Sequence, residues 1–168
     1  MIAARAIAAA VLLAAAFTAL SPGLLRLRAE GMPGTLRMEI VRREDGRILW
    51  HTSVEAGERF EILFRHSSDH TPVCDLFEVT AEGGFLLLEE RFLWYGAGLE
   101  FHPSAEISFP PEGTRVHLRR PFPAIPLRAG LKADHRLQIR GRQIPLLEIA
   151  RGGESLWIRI GRAATGGP

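Results

Sequence analysis

The sequence predicts an all-β domain, an antiparallel sandwich or small barrel of about eight or nine short strands, preceded by one N-terminal apolar helix. Three observations lead there. Apolar and polar residues alternate with period two through most of residues 35–161. Turn signals such as Asp45-Gly46, Glu82-Gly83-Gly84 and Gly141-Arg142 recur at close spacing. No stretch beyond residue 30 sustains an apolar 3.6-residue period for three turns.

The N-terminal segment comes first. Ala6 to Leu20 is apolar apart from Thr18, Arg5 precedes it, and Ser21-Pro22-Gly23 breaks it. A charged start, an apolar middle and small residues form the pattern of an export signal. As a helix this run spans about 22 Å, and extension through Leu25 brings it close to the thickness of a bilayer core. Residues 1–28 are therefore expected to be a signal peptide or membrane anchor, and 29–34 a linker.

The β domain is expected over 35–161. Leu36, Met38 and Ile40 alternate with Arg37 and Glu39, and Ile48, Trp50 and Thr52 resume the pattern beyond the Asp45-Gly46 turn. Phe60, Ile62, Phe64 and His66 share one face of a third strand. Further strands are expected at Val73–Val79, Phe85–Tyr95, Thr114–Arg120, His135–Arg140, Gln143–Ile149 and Ser155–Ile160. Residues 101–111 read as irregular, with three Pro, and Pro121 to Pro126 as a stiff extended linker. Leu131 to Leu137 offers one helical turn at most, and 162–168 a frayed tail.

Charge and cysteine content narrow the function. Setting aside Arg5, Arg26 and Arg28, which flank the apolar run, leaves 18 basic residues against 19 acidic ones, so the domain has no basic surplus with which to meet nucleic acid. Cys74 is the single cysteine; it can form neither an internal disulfide nor a Cys-based zinc site, and it reads as a small buried hydrophobe.

Two motifs stand out: His66-Ser67-Ser68-Asp69-His70-Thr71-Pro72-Val73, and Phe92-Leu93-Trp94-Tyr95-Gly96-Ala97-Gly98-Leu99. In combination they resemble the domain-of-unknown-function family 1850, over residues 36–160 of this chain. The family's pattern places Glu directly after Thr-Pro-Val, where this chain has Cys74 and then Asp75. The resemblance implies a small bacterial protein associated with TRAP transporters of the TAXI type, tripartite carriers fed by an extracytoplasmic solute receptor. The expected function is thus an exported, membrane-anchored accessory or binding protein on the periplasmic side. Its expected partners are the carrier's membrane subunits, the solute receptor or a small solute.

The candidate binding residues are His66, Ser67, Thr71, Pro72, Asp75, Tyr95, Gly96 and Gly98. His66 is suited to hydrogen bonding or titration in a pocket, while Ser67 and Thr71 read as loop-capping hydroxyls. Adjacent strand residues point to opposite faces, so His66 would not activate Ser67, and no Gly-x-Ser-x-Gly elbow is present. Asp75 is expected to pair with Arg65 or Arg91 across neighbouring strands. Gly96 and Gly98 permit a tight corner carrying Tyr95 toward the His66 loop. His66, His70 and Cys74 are spaced by four, but Pro72 denies them a shared helix face, so no metal site and no cofactor is expected. His51, His102, His117 and His135 are scattered and read as surface residues. The alternative function is a small exported hydrolase or metal-binding enzyme using His66 and Asp75.

Overall fold

A computed structural model describes residues 36–93 and 105–162. The expected apolar helix, the linker, Tyr95, Gly96, Gly98, His102 and residues 163–168 lie outside the described residues. Within them, eleven strands form two antiparallel sheets. The smaller sheet has the order β2 (Ile48–Val54), β1 (Leu36–Arg42), β11 (Ser155–Arg162), β8 (Ala124–Arg128). The larger runs β10 (Arg142–Pro145), β9 (Arg136–Ile139), β3 (Arg59–Arg65), β4 (Pro72–Val79), β5 (Phe85–Phe92), β7 (Thr114–Phe122), β6 (Glu106–Ser108). Among the described residues the sheets do not close on each other, so of the two expected architectures the barrel is excluded.

One core joins the sheets. Met38, Ile40, Val54, Leu156 and Ile158 of the smaller sheet pack with Phe60, Ile62, Phe77, Phe85, Leu87 and Leu137 of the larger. Phe60 is its aromatic centre, stacked on Phe77 at 5.4 Å and edge-on to Phe85 at 5.3 Å. A second, smaller cluster of Val73, Phe92 and Val116 lies toward one end of the larger sheet. Hydrophobic alternation thus does its expected work: period two puts every second side chain inside.

Several expected boundaries move. The Pro121–Pro126 stretch is not a linker: β7 runs through Phe122, and β8 pairs with β11, Pro126 standing opposite Trp157. Pro is tolerated there because β8 is an edge strand and its second side needs no donor. The irregular stretch yields the short strand β6 on the other sheet's edge. The strand expected over 143–149 stops at Pro145 and gives way to a four-residue helix, α1 (Leu146–Ile149), closed by Ala150 N–H donating to the Leu146 carbonyl at 2.9 Å. β5 ends at Phe92, short of Tyr95. Among the described residues no helix is long and apolar enough to cross a membrane.

Glu39 breaks the polar-out rule. It points to the outer face of the smaller sheet yet is 2% exposed. Arg37 Nε and Arg159 Nε donate to its two carboxylate oxygens at 2.8 and 2.9 Å. Gly161 leaves the room: a Cβ there would lie 2.6 Å from Glu39 Oε1. Burial alone would raise the Glu39 pKa, but the hydrogen bonds from Arg159 and Arg37 bring it below the usual value.

Candidate functional site

The hairpin between β3 and β4 carries the first motif. β3 ends at Arg65, paired with Pro72, so His66 lies in the loop and does not extend the strand face shared by Phe60, Ile62 and Phe64. The loop closes through His66 N–H donating to the Thr71 carbonyl at 2.8 Å and His70 N–H donating to the His66 carbonyl at 3.0 Å. His70 takes φ of +60, the left-handed position such four-residue loops require. Asp69 Oδ1 accepts from the Thr71 amide at 3.0 Å and from the Thr71 hydroxyl at 2.8 Å, an arrangement that holds Asp69 below the usual carboxylate range. The Asp69 carboxylate caps the loop and the Thr71 hydroxyl donates to it, whereas Ser67 is exposed and Ser68 lies beside His66.

His66 Nδ1 lies 2.9 Å from Ser68 Oγ and 3.3 Å from Asp69 Oδ1. The residue types are those of a hydrolytic triad, but the geometry is not. In a triad the carboxylate and the nucleophile hold opposite ring nitrogens, whereas here both face the same one. The cluster orders a loop and leaves Ser67, Ser68, Asp69 and His70 exposed at its tip.

Asp75 departs from expectation. It pairs with neither Arg65 nor Arg91 but points to the inner face of the larger sheet, where its cross-strand neighbours are Ile62 and Glu90. Arg91 faces the other way, paired with Glu61 and, at 3.1 Å, with Glu89. Burial first, and the Glu90 charge second, push the Asp75 carboxyl up to about 7. Glu90 is the residue the sequence did not single out. A bulge at Leu88 explains its direction: Leu87 and Glu90, three apart, face the same way because the register shifts between Leu87 and Glu89. His66 sits opposite Thr71, four residues before Asp75, or about 13 Å along the strand. The structure does not bring His66 and Asp75 into one reacting group, and the described residues contain no group of three or more His, Cys, Asp or Glu placed to hold a metal ion.

Cys74 lies on the outer face, half-buried rather than in the core. Arg91 Nη2 approaches its sulfur at 3.0 Å, and burial with the Glu61 charge beside it pushes the thiol up to about 12. Around it runs a polar ladder: Gln143 Nε2 donates to Gln138 at 2.7 Å, Gln138 Nε2 to Glu61 at 2.7 Å, and His117 Nδ1 lies 3.2 Å from Glu89. His135, expected at the surface, stacks on Phe64 at 5.3 Å, and burial lowers its pKa.

One end of the larger sheet gathers these parts. Val73 at the start of β4 pairs with Phe92 at the end of β5, so the His66–Thr71 loop and the chain leaving at Leu93 emerge side by side. Gly113 arrives at the same place: Thr114 pairs with Phe92, and a Cβ on Gly113 would lie 2.5 Å from the Phe92 carbonyl oxygen. The loop before β9 joins them, with Arg65 N–H donating to the Ala133 carbonyl at 2.7 Å. Two open clefts elsewhere, of about 440 Å³ at Arg42 and Arg151–Ser155 and about 390 Å³ at Thr80–Phe85 and Pro121–Pro123, are lined by none of the predicted site residues. A family model described as a domain of unknown function, DUF1850, matches residues 60–146, just over half of the chain. No curated protein and no solved structure matches it.

Proposed function

The chain belongs to the family described as Domain of unknown function (DUF1850), and on that premise we propose that it is an extracytoplasmic accessory protein, held at the membrane by its N-terminal segment, that docks onto a TAXI-type TRAP carrier. The docking face is the end of the larger sheet that carries the His66–Thr71 loop and the end of β5 at Phe92 and Leu93, where the second motif begins. The observation that supports it is the pairing of Val73 with Phe92, which brings two motifs nineteen residues apart to neighbouring strand ends. A projecting, internally hydrogen-bonded loop with an exposed tip suits contact with another protein better than enclosure of a solute. The shared His66 nitrogen described above argues against hydrolysis.

The test is affinity purification of the intact chain from native membranes, with the co-purifying subunits identified by mass spectrometry. The carrier's membrane subunits should come with the wild-type protein and be lost with His66→Ala combined with Tyr95→Ala, while the melting temperature stays within a few degrees. Solute uptake should fall in parallel. Undiminished uptake by that folded variant, or wild-type protein free of carrier subunits, overturns the reading.

A further inference from the structure

We propose that two neighbouring turns, 129–134 and 151–154, form a docking surface for an anionic lipid membrane, with Leu131 as the side chain that enters the headgroup layer. The turns are tied together by backbone: Ala129 N–H donates to the Glu154 carbonyl at 2.9 Å, and Gly153 N–H donates to the Ala129 carbonyl at 2.7 Å. At their apex Leu131 is 75% exposed, the most exposed of the large hydrophobic side chains described. Its position is built into the fold. Leu131 lies over Gly152, where a Cβ would come within 2.7 Å of its Cδ2, so a side chain at 152 would displace the leucine from this position. The Gly130 carbonyl accepts from Asp134 N–H at 3.2 Å, which closes the turn beneath it.

Charge selects the partner. Lys132 follows Leu131 in its turn, Arg151 precedes the Gly152 that Leu131 lies over, Arg128 ends β8 just ahead of the turn, and all three are exposed. The two acidic residues of these turns are already engaged: Asp134 by Arg136 at 2.7 Å and Glu154 by Arg42 at 3.4 Å. Arg65, hydrogen-bonded through its amide to Ala133, adds a further exposed cation, and Glu44 across the adjoining cleft is the acid left nearby. An exposed leucine on turns that carry exposed cations meets an anionic headgroup layer on both counts, each basic residue contributing about 1 kcal/mol near such a surface. A hydrophobic protein partner would need a larger apolar patch than one leucine. Because the 129–134 turn is bonded to the end of β3, docking here would set the His66 loop against the membrane plane. The lipid contact itself does not rest on the carrier reading.

The experiment uses the full-length chain carrying Leu131→Cys in a Cys74→Ser background, labelled at 131 with an environment-sensitive fluorophore and mixed with lipid vesicles. Pure phosphatidylcholine vesicles control for insertion of the N-terminal segment alone. Vesicles containing phosphatidylglycerol should shift the emission to the blue and shield the label from aqueous quencher. Lys132→Glu with Arg151→Glu should raise the lipid needed for half the shift by about tenfold or more, and high salt should do the same. An unchanged emission on anionic vesicles overturns the proposal. So does an equal shift on neutral lipid, or an equal shift from a label at Glu82→Cys on a remote turn, since either marks embedding without headgroup recognition.

Discussion

Asp75 stands directly opposite Glu90 across β4 and β5, in an inner-face row whose other members are Ile144, Leu137, Ile62, Val116 and Ile107. Five apolar side chains thus flank two carboxyl groups at the seam between the main core and the Val73–Phe92–Val116 cluster. Burial holds the Asp75 proton more tightly than water would, and the neighbouring Glu90 charge adds to that.

Stability should therefore fall as pH rises through the acid range. Asp75 is raised from its ordinary 3.8 to about 7, so the folded chain keeps a proton that the unfolded chain has released. The folded state binds more protons between about pH 4 and 7, and stability drops across that window before levelling off. Asp75→Asn should flatten the slope and gain roughly 1–3 kcal/mol over wild type at about pH 8. Urea melts at several pH values would show it; parallel profiles for the two proteins would rule the pair out as its source.

Gly113 should tolerate no side chain. Its φ of +138 lies outside what L residues adopt, and the backbone of Phe92 and Leu93 fills the space a Cβ would take. Gly113→Ala should cost roughly 1–3 kcal/mol more than Gly46→Ala, whose φ of +72 is also positive but whose surroundings are open. Thermal melts of the two variants make the comparison, and equal losses would contradict the close approach.

The Cys74 thiol should be inert in the folded chain. A thiol near 12 has almost no thiolate at neutral pH, and thiolate is the reacting form. Labelling by a disulfide reagent at about pH 8 should run at least a hundredfold slower than after unfolding in urea. Rapid modification under native conditions would show that the outer-face ladder does not shield it.

The sequence made the strands legible wherever one face is apolar and the other polar, as in Leu36–Ile40 and Phe60–Phe64. It failed where both faces are apolar or the phase slips. Val73-Cys74-Asp75-Leu76-Phe77 puts nonpolar residues on both sides of β4, so nothing marked Asp75 as inward. Leu86-Leu87-Leu88 likewise hides the bulge that turns Glu90 inside. Proline density concealed β8, because local preference cannot reveal that an edge strand will find β11 as its neighbour. The motif loop was legible as a loop, yet its wiring was not: Asp69 and Ser68, not Ser67, hold Thr71 and His66.

The Arg37–Glu39–Arg159 clamp gives the last prediction. Glu39 is buried while its two arginines are partly exposed, at 32% and 47% of their side chains, so either alone can still neutralise it. Arg37→Ala or Arg159→Ala singly should each cost about 1 kcal/mol, whereas the double variant strands a buried carboxylate and should lose about 3–5 kcal/mol. The pH response should reverse as well. In the wild type the Glu39 pKa is lowered, so its stabilisation is present above the ordinary 4.5 and is lost as pH falls through the folded value. In the double variant burial raises that pKa, and stability should instead fall as pH rises through the acid range. Adding Glu39→Gln to the double variant should recover most of the loss, because a neutral amide needs no counter-charge. Denaturant melts of the wild type and the four variants test this, and additive losses with an unreversed pH slope would mean that the arginines decorate Glu39 without sustaining it.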